Sequence, residues 1–114
     1  MNFLPLNRFR RRVAWLGCGT LLLSQAMAEV SFEKDIAPLL ETRCLQCHNP
    51  NLSKGDLSLH TLAASREGGK EGPAVVPADP HASVLLDRVR SGDMPEDGEP
   101  FTDDEVKLLE TWIQ

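Results

Sequence analysis

The chain has 114 residues, with 17 acidic and 12 basic side chains and a formal net charge of −5. That length suits one domain. The acidic balance disfavours nucleic acid and anionic membrane as partners and suits a basic protein partner, although plain solubility also accounts for it.

Residues 1–28 read as a leader. Arg8, Arg10, Arg11 and Arg12 form a basic region, Val13 to Leu23 is largely apolar, and Ala26-Met27-Ala28 offers small residues where a signal peptidase reads. The expectation is a secretory signal peptide cut after Ala28, with residues 29–114 exported to the periplasm. The apolar run is short for a bilayer span, so no transmembrane segment is expected in the mature chain. A buried N-terminal helix is one competing reading. A lipoprotein through Cys18 is another, although Trp15-Leu16-Gly17-Cys18 lacks the usual leucine three residues before the cysteine. The leader takes four arginines and no acid, so 8 basic residues remain against 17 acidic ones, a formal −9. The remainder keeps Trp112, Phe32, Phe101 and no tyrosine, a thin apolar inventory for a small domain.

Ser31 is placed to cap a helix. Phe32, Ile36, Leu39, Leu40 and Cys44 recur at three- and four-residue steps and predict its buried face. Pro38 interrupts that pattern, so the regular part is expected to begin near Asp35 or Ile36. The helix would deliver Cys44 at its end, with Cys47 and His48 in the following turn.

Cys44-Leu45-Gln46-Cys47-His48 is the attachment pattern of a c-type haem. Each thiol adds across one vinyl group of the haem, and the adjacent imidazole reaches the iron. By itself the motif also fits a zinc half-site, a redox dithiol or structural cysteines. Cys44 and Cys47 are the cysteines left after the leader, and a disulfide between them would close too small a loop to staple much. A large apolar cofactor would supply the missing core. Zinc would need Cys44, Cys47, His60 and His81 together, without a second close pair.

Asn49 to Asp56 reads as a loop. Leu57, Leu59 and Leu62 are expected to face the core or the haem, with a short helix or turn near His60 to Ser65. The glycines and prolines from Glu67 to Pro80 exclude a long helix and permit close backbone approach to something bulky. Asp79-Pro80 predicts a helix from Pro80 to about Arg90, with Val84, Leu85 and Val89 inward and Gly92 ending it. Thr102 and Glu105 form a capping box, with Phe101 and Val106 as its staple. Val106, Leu109 and Ile113, flanked by Leu108 and Trp112, give the last helix a broad apolar face. No strand pattern stands out. The first and last helices are expected to pack across each other beside the haem.

A second axial ligand opposite His48 has three candidates: His60, His81 and Met94. Met94 is the sole methionine after the leader, in a loop between Gly92 and Pro95, and its soft sulfur favours reduced iron. His60 reads more readily as an edge residue, and His81 as part of a capped turn. Seven acids from Asp93 to Glu105, with no Lys or Arg among them, suggest a docking face for a basic redox protein; solvated loop charge explains them equally well.

Taken together, these residues resemble small class I-like cytochrome c domains, in particular the planctomycete-type cytochrome c. The resemblance covers nearly all of 32–113. It rests on Phe32 to Pro38, Cys44 to His48 and Gly55-Asp56-Leu57-Ser58-Leu59. It also rests on Gly68-Gly69, Gly72 to Pro77, Ser83-Val84-Leu85, Met94-Pro95, and on Leu109, Trp112 and Ile113. It implies an all-α cytochrome c fold wrapped around one haem c. That haem would be bonded to Cys44 and Cys47, with His48 and Met94 as iron ligands. The implied role is a periplasmic single-electron carrier, not an enzyme, serving an exported redox protein. A dedicated haem subunit of an exported dehydrogenase, and a gas-binding haem sensor with Met94 off the iron, are the alternatives.

Overall fold

The computed structural model describes Gly19 and residues 28–114. The leader features and Cys18 lie outside the described residues, Gly19 and Ala28 excepted. Four helices make up the fold: α1 (Ala37–Arg43), α2 (Leu62–Glu67), α3 (Val84–Ser91) and α4 (Asp103–Ile113). Among the described residues there is no sheet; two isolated bridges join His48 to Ser53 and Gly69 to Gly72. None of these helices is long and apolar enough to cross a membrane.

The chain enters through a π-helical turn, Phe32–Ile36, capped by the Ser31 side chain. Ile36 donates to the Ser31 carbonyl at 3.3 Å, and Ala37 donates to Phe32, both one residue further back than in an α-helix. Pro38 follows at the second position of α1. Having no N–H, proline there leaves no helical donor unsatisfied. The α-helix therefore begins at Ala37, close to where proline placed it in the sequence.

α3 departs from the sequence-based expectation. Instead of one helix from Pro80, a 3₁₀ turn (Pro80–Ala82) and α3 meet at Ser83, whose backbone is extended. The cause is the Ser83 side chain, which is fully buried. Its Oγ donates to the Asp79 carbonyl at 2.8 Å and accepts from Val76 N–H at 2.9 Å. These bonds tie the preceding loop to α3 and compete with a continuous helix. The inward residues shift accordingly: Leu85, Leu86 and Val89 are buried, whereas Val84 is half-buried. Gly92, left-handed at φ 82°, ends α3 as expected.

α4 carries the expected capping box, with Glu105 N–H donating to Thr102 at 3.2 Å and Thr102 N–H to Glu105 at 2.8 Å. Leu109 and Ile113 are buried beside Ile36, Leu40 and Leu86. α4 does pack against the first helical stretch. The rings of Phe32 and Trp112 lie 5.5 Å apart. Arg43 reaches Glu105 at 3.2 Å and stacks over Phe101 at 4.7 Å. Arg90 of α3 pairs with Glu110 of α4 at 2.7 Å. The long loop after α2 is sewn in by Val75 donating to Ser65 and Leu85 donating to Ala74, each at 3.0 Å.

Candidate haem site

α1 stops at Cys44, where the backbone leaves helical geometry. Cys47 and His48 both donate their N–H groups back to the Cys44 carbonyl, at 3.2 and 3.1 Å. This tight turn gathers the two thiols and the imidazole. Asn49 locks the next stretch of loop, since its side chain donates to the Leu45 carbonyl at 2.7 Å and accepts from Asn51 and Leu52 at 2.9 and 2.8 Å. Both cysteines are free thiols.

The His48 ring is oriented by backbone. Its Nδ1 lies 3.0 Å from the Lys54 carbonyl. A carbonyl oxygen only accepts, so Nδ1 carries a proton, and in the neutral ring Nε2 is the nitrogen with a free lone pair. That is the arrangement a metal-binding imidazole needs.

Cys44, Cys47 and His48 line a cavity of about 580 Å³, and Met94 lines it too. Its apolar wall comes from Leu57, Leu59, Ala74, Leu85 and Val89. The size and lining are those of a cofactor pocket. Neither His60 nor His81 lines it. His60 is exposed and bonds Ser58 at 2.7 Å, and His81 is exposed on the 3₁₀ turn. Leu62, expected with Leu57 and Leu59, instead borders a small hollow against Trp112 and Ile113. Among the described residues no three His, Cys, Asp or Glu side chains converge as metal ligands. The four residues that zinc would need therefore do not assemble.

Charge is concentrated at the rim. Lys54 and Glu96 pair at 2.7 Å, which raises the lysine's pKa and lowers the carboxylate's, chiefly through the hydrogen bond between them. Arg88 holds Asp93 at 2.9 Å and also binds Glu71. Its own carbonyl accepts the Met94 N–H at 3.1 Å. Burial pushes the Cys44 thiol up to about 11, against the opposing pull of Arg43.

Two features of this rim have no clear signature in sequence. One is the Lys54 carbonyl, a backbone group. The other is the clasp of two loops: Lys70 donates to the Gly55 carbonyl at 3.0 Å, and a Cβ on Gly69 would sit 2.5 Å from that same oxygen. The Gly68-Gly69 pair is the only hint of such an approach in the sequence.

The chemistry of the donors fits a covalently held haem. Two free thiols, an imidazole with Nε2 available and a thioether share one apolar chamber. An all-helical domain built this way falls in the class of c-type haem proteins. Residues 44–98 match the family model for Planctomycete cytochrome C, and the chain carries a cytochrome c family domain. No curated protein and no solved structure matches it. Such a domain implies haem-based electron transfer.

Proposed function

We propose that residues 29–114 form a monohaem single-electron carrier of the periplasm. Cys44 and Cys47 would bond the haem, and His48 and Met94 would hold its iron. The observation that carries this reading is that all four residues line one apolar cavity, with His48 already aligned by the Lys54 carbonyl. When bound, the haem supplies one-electron chemistry.

The residues have separable tasks. Cys44 and Cys47 would each hold the haem through a thioether bond. The Lys54 carbonyl accepts from His48 Nδ1, which would leave Nε2 to hold the iron. Met94 offers a soft sulfur that favours the reduced state. The leucine and valine wall excludes water. The match to a cytochrome c family model supports a carrier over an enzyme.

A basic exported protein suits the acidic surface as partner, with fewer charges in play than the sequence suggests. Of the seven acids from Asp93 to Glu105, three are paired within the domain: Asp93 with Arg88, Glu96 with Lys54 and Glu105 with Arg43.

The deciding experiment is production of the full chain in a host that attaches haem, with absorption spectra and intact mass as the readouts. The expected product is red and carries one haem that survives denaturation. Cys47→Ala should retain at most a singly bonded haem. A folded, colourless mature protein would end this reading.

A further inference from the structure

We propose that Lys54 is a positioning residue that joins the two sides of the site, holding the Met94 loop to the His48 loop across the mouth of the cavity. This rests on the haem-carrier reading above and adds to it a residue outside the four ligating positions.

Lys54 makes four hydrogen bonds; one, from Leu57 N–H to its carbonyl at 3.3 Å, closes the local turn, and the other three each reach a different part of the site. Its N–H donates to the Cys47 carbonyl at 3.0 Å. Its carbonyl accepts from His48 Nδ1 at 3.0 Å. Its Nζ donates to Glu96 Oε2 at 2.7 Å, two residues beyond Met94 and 42 residues away in sequence. One residue therefore sets the imidazole through its backbone and reaches the methionine loop through its side chain.

The Met94 loop has little else to hold it. At its start, Met94 N–H is bonded to the Arg88 carbonyl, and Asp93 to the Arg88 guanidinium. At its end, the Glu99 carbonyl accepts from Arg43. Between these anchors, residues 95–98 make one hydrogen bond among the described residues, that of Glu96 to Lys54. Both partners are about half exposed, at 54% and 55%. The pair is thus a labile strap, open to screening by salt, and its effect is kinetic and local more than a contribution to global stability.

Lys54→Met tests the strap without touching the backbone carbonyl that orients His48. In haem-loaded protein at low salt, amide hydrogen exchange in residues 94–98 should quicken about two- to three-fold in Lys54→Met and in Glu96→Gln, the change expected from an exposed pair. Added salt should bring the wild type towards the variants. The exchanged pair, Lys54→Glu with Glu96→Lys, should return towards wild type, which a merely steric role would not do. Imidazole, which reaches iron when the Met94 sulfur leaves it, should bind more tightly in the two single variants by a similar factor. Unchanged exchange and imidazole affinity in red, haem-loaded Lys54→Met overturn the proposal and leave the carrier reading standing. Wild-type protein that binds imidazole as tightly as Met94→Ala overturns Met94 as ligand, and the proposal with it.

Discussion

At the scale of single residues, the site is an exercise in placing soft and neutral donors where burial suits them. Met94→His should keep the haem, since the thioether bonds proposed at Cys44 and Cys47 would not involve residue 94. Exchange of sulfur for imidazole should lower the potential by on the order of 0.1 V, within the roughly 0.8 V that axial ligands span. Spectroelectrochemical titration checks this, and an unchanged potential and spectrum would remove Met94 from the iron. Cys44 gives a second, independent handle. Burial pushes its thiol from 9.0 up to about 11, so the folded chain before haem attachment holds little thiolate. Alkylation of Cys44 at about pH 8 should be at least ~10-fold slower in the folded unloaded chain than in denaturant, because the thiolate is the reactive form. The same shift has a sign in stability. Between the unfolded and folded values the native thiol keeps its proton while the unfolded one loses it. Stability of the unloaded chain therefore falls as pH rises through that window. In the haem-bonded protein the sulfur is a thioether and that slope should be absent. Denaturation midpoints at about pH 8.5 and about pH 10.5, with and without haem, measure the difference.

At the scale of elements, caps and glycines do more to position the site than helix propensity does. Thr102→Ala removes half of the capping box of α4 and should cost about 1 kcal/mol. For a domain of this size that is roughly 4–8 °C in Tm, readable by thermal melting. Glycine substitutions should separate by space. Gly92→Ala meets no atom within 4 Å and has only its φ of 82° against it, so about 1 kcal/mol is expected. Gly68→Ala combines φ 80° with a Cβ that would sit 2.1 Å from the Gly72 carbonyl oxygen. It should cost more than ~2 kcal/mol and lower the yield of haem-loaded protein. The elements that the sequence makes legible are those with local chemical signatures: the Ser31 cap, the Thr102–Glu105 box, Gly92, and the Cys44–His48 turn. What it hides is set by hydrogen bonding that side-chain patterning does not carry. The break at Ser83 comes from hydrogen bonds to Asp79 and Val76, which an apolar periodicity does not register. Leu86, three residues before Val89, fits the apolar periodicity and is buried with Leu85 and Val89. The π-helical turn before Pro38 is a backbone register shift that side-chain spacing alone does not reveal.

At the scale of the whole molecule, two properties arise from an acidic chain whose packed core borders an open cavity. The buried apolar side chains, among them Ile36, Leu40, Leu86 and Leu109, lie between the helices, while the chamber wall of Leu57, Leu59, Leu85 and Val89 faces inward with space between. A bonded haem would complete that wall, so cofactor and fold support each other. The cation-rich side of the rim is committed inward as well: Arg43, Lys54 and Arg88 each hold a carboxylate of the 93–105 segment. What this segment then presents to a partner is Asp97, Glu99, Asp103 and Asp104, which make no ion pair among the described residues. If these acids steer a basic redox partner, reduction by that partner should slow several-fold between about 10 mM and about 150 mM salt, as the screening length falls from roughly 30 to 8 Å. Asp103→Asn with Asp104→Asn should flatten that dependence, because both charges face solvent at the start of α4. Glu105→Gln is the contrasting variant: it removes a charge already answered by Arg43, so it should lower Tm while leaving the salt slope nearly unchanged. Stopped-flow rates across the salt series distinguish the two. A rate indifferent to ionic strength in the wild type would make the four free acids ordinary solvated charge.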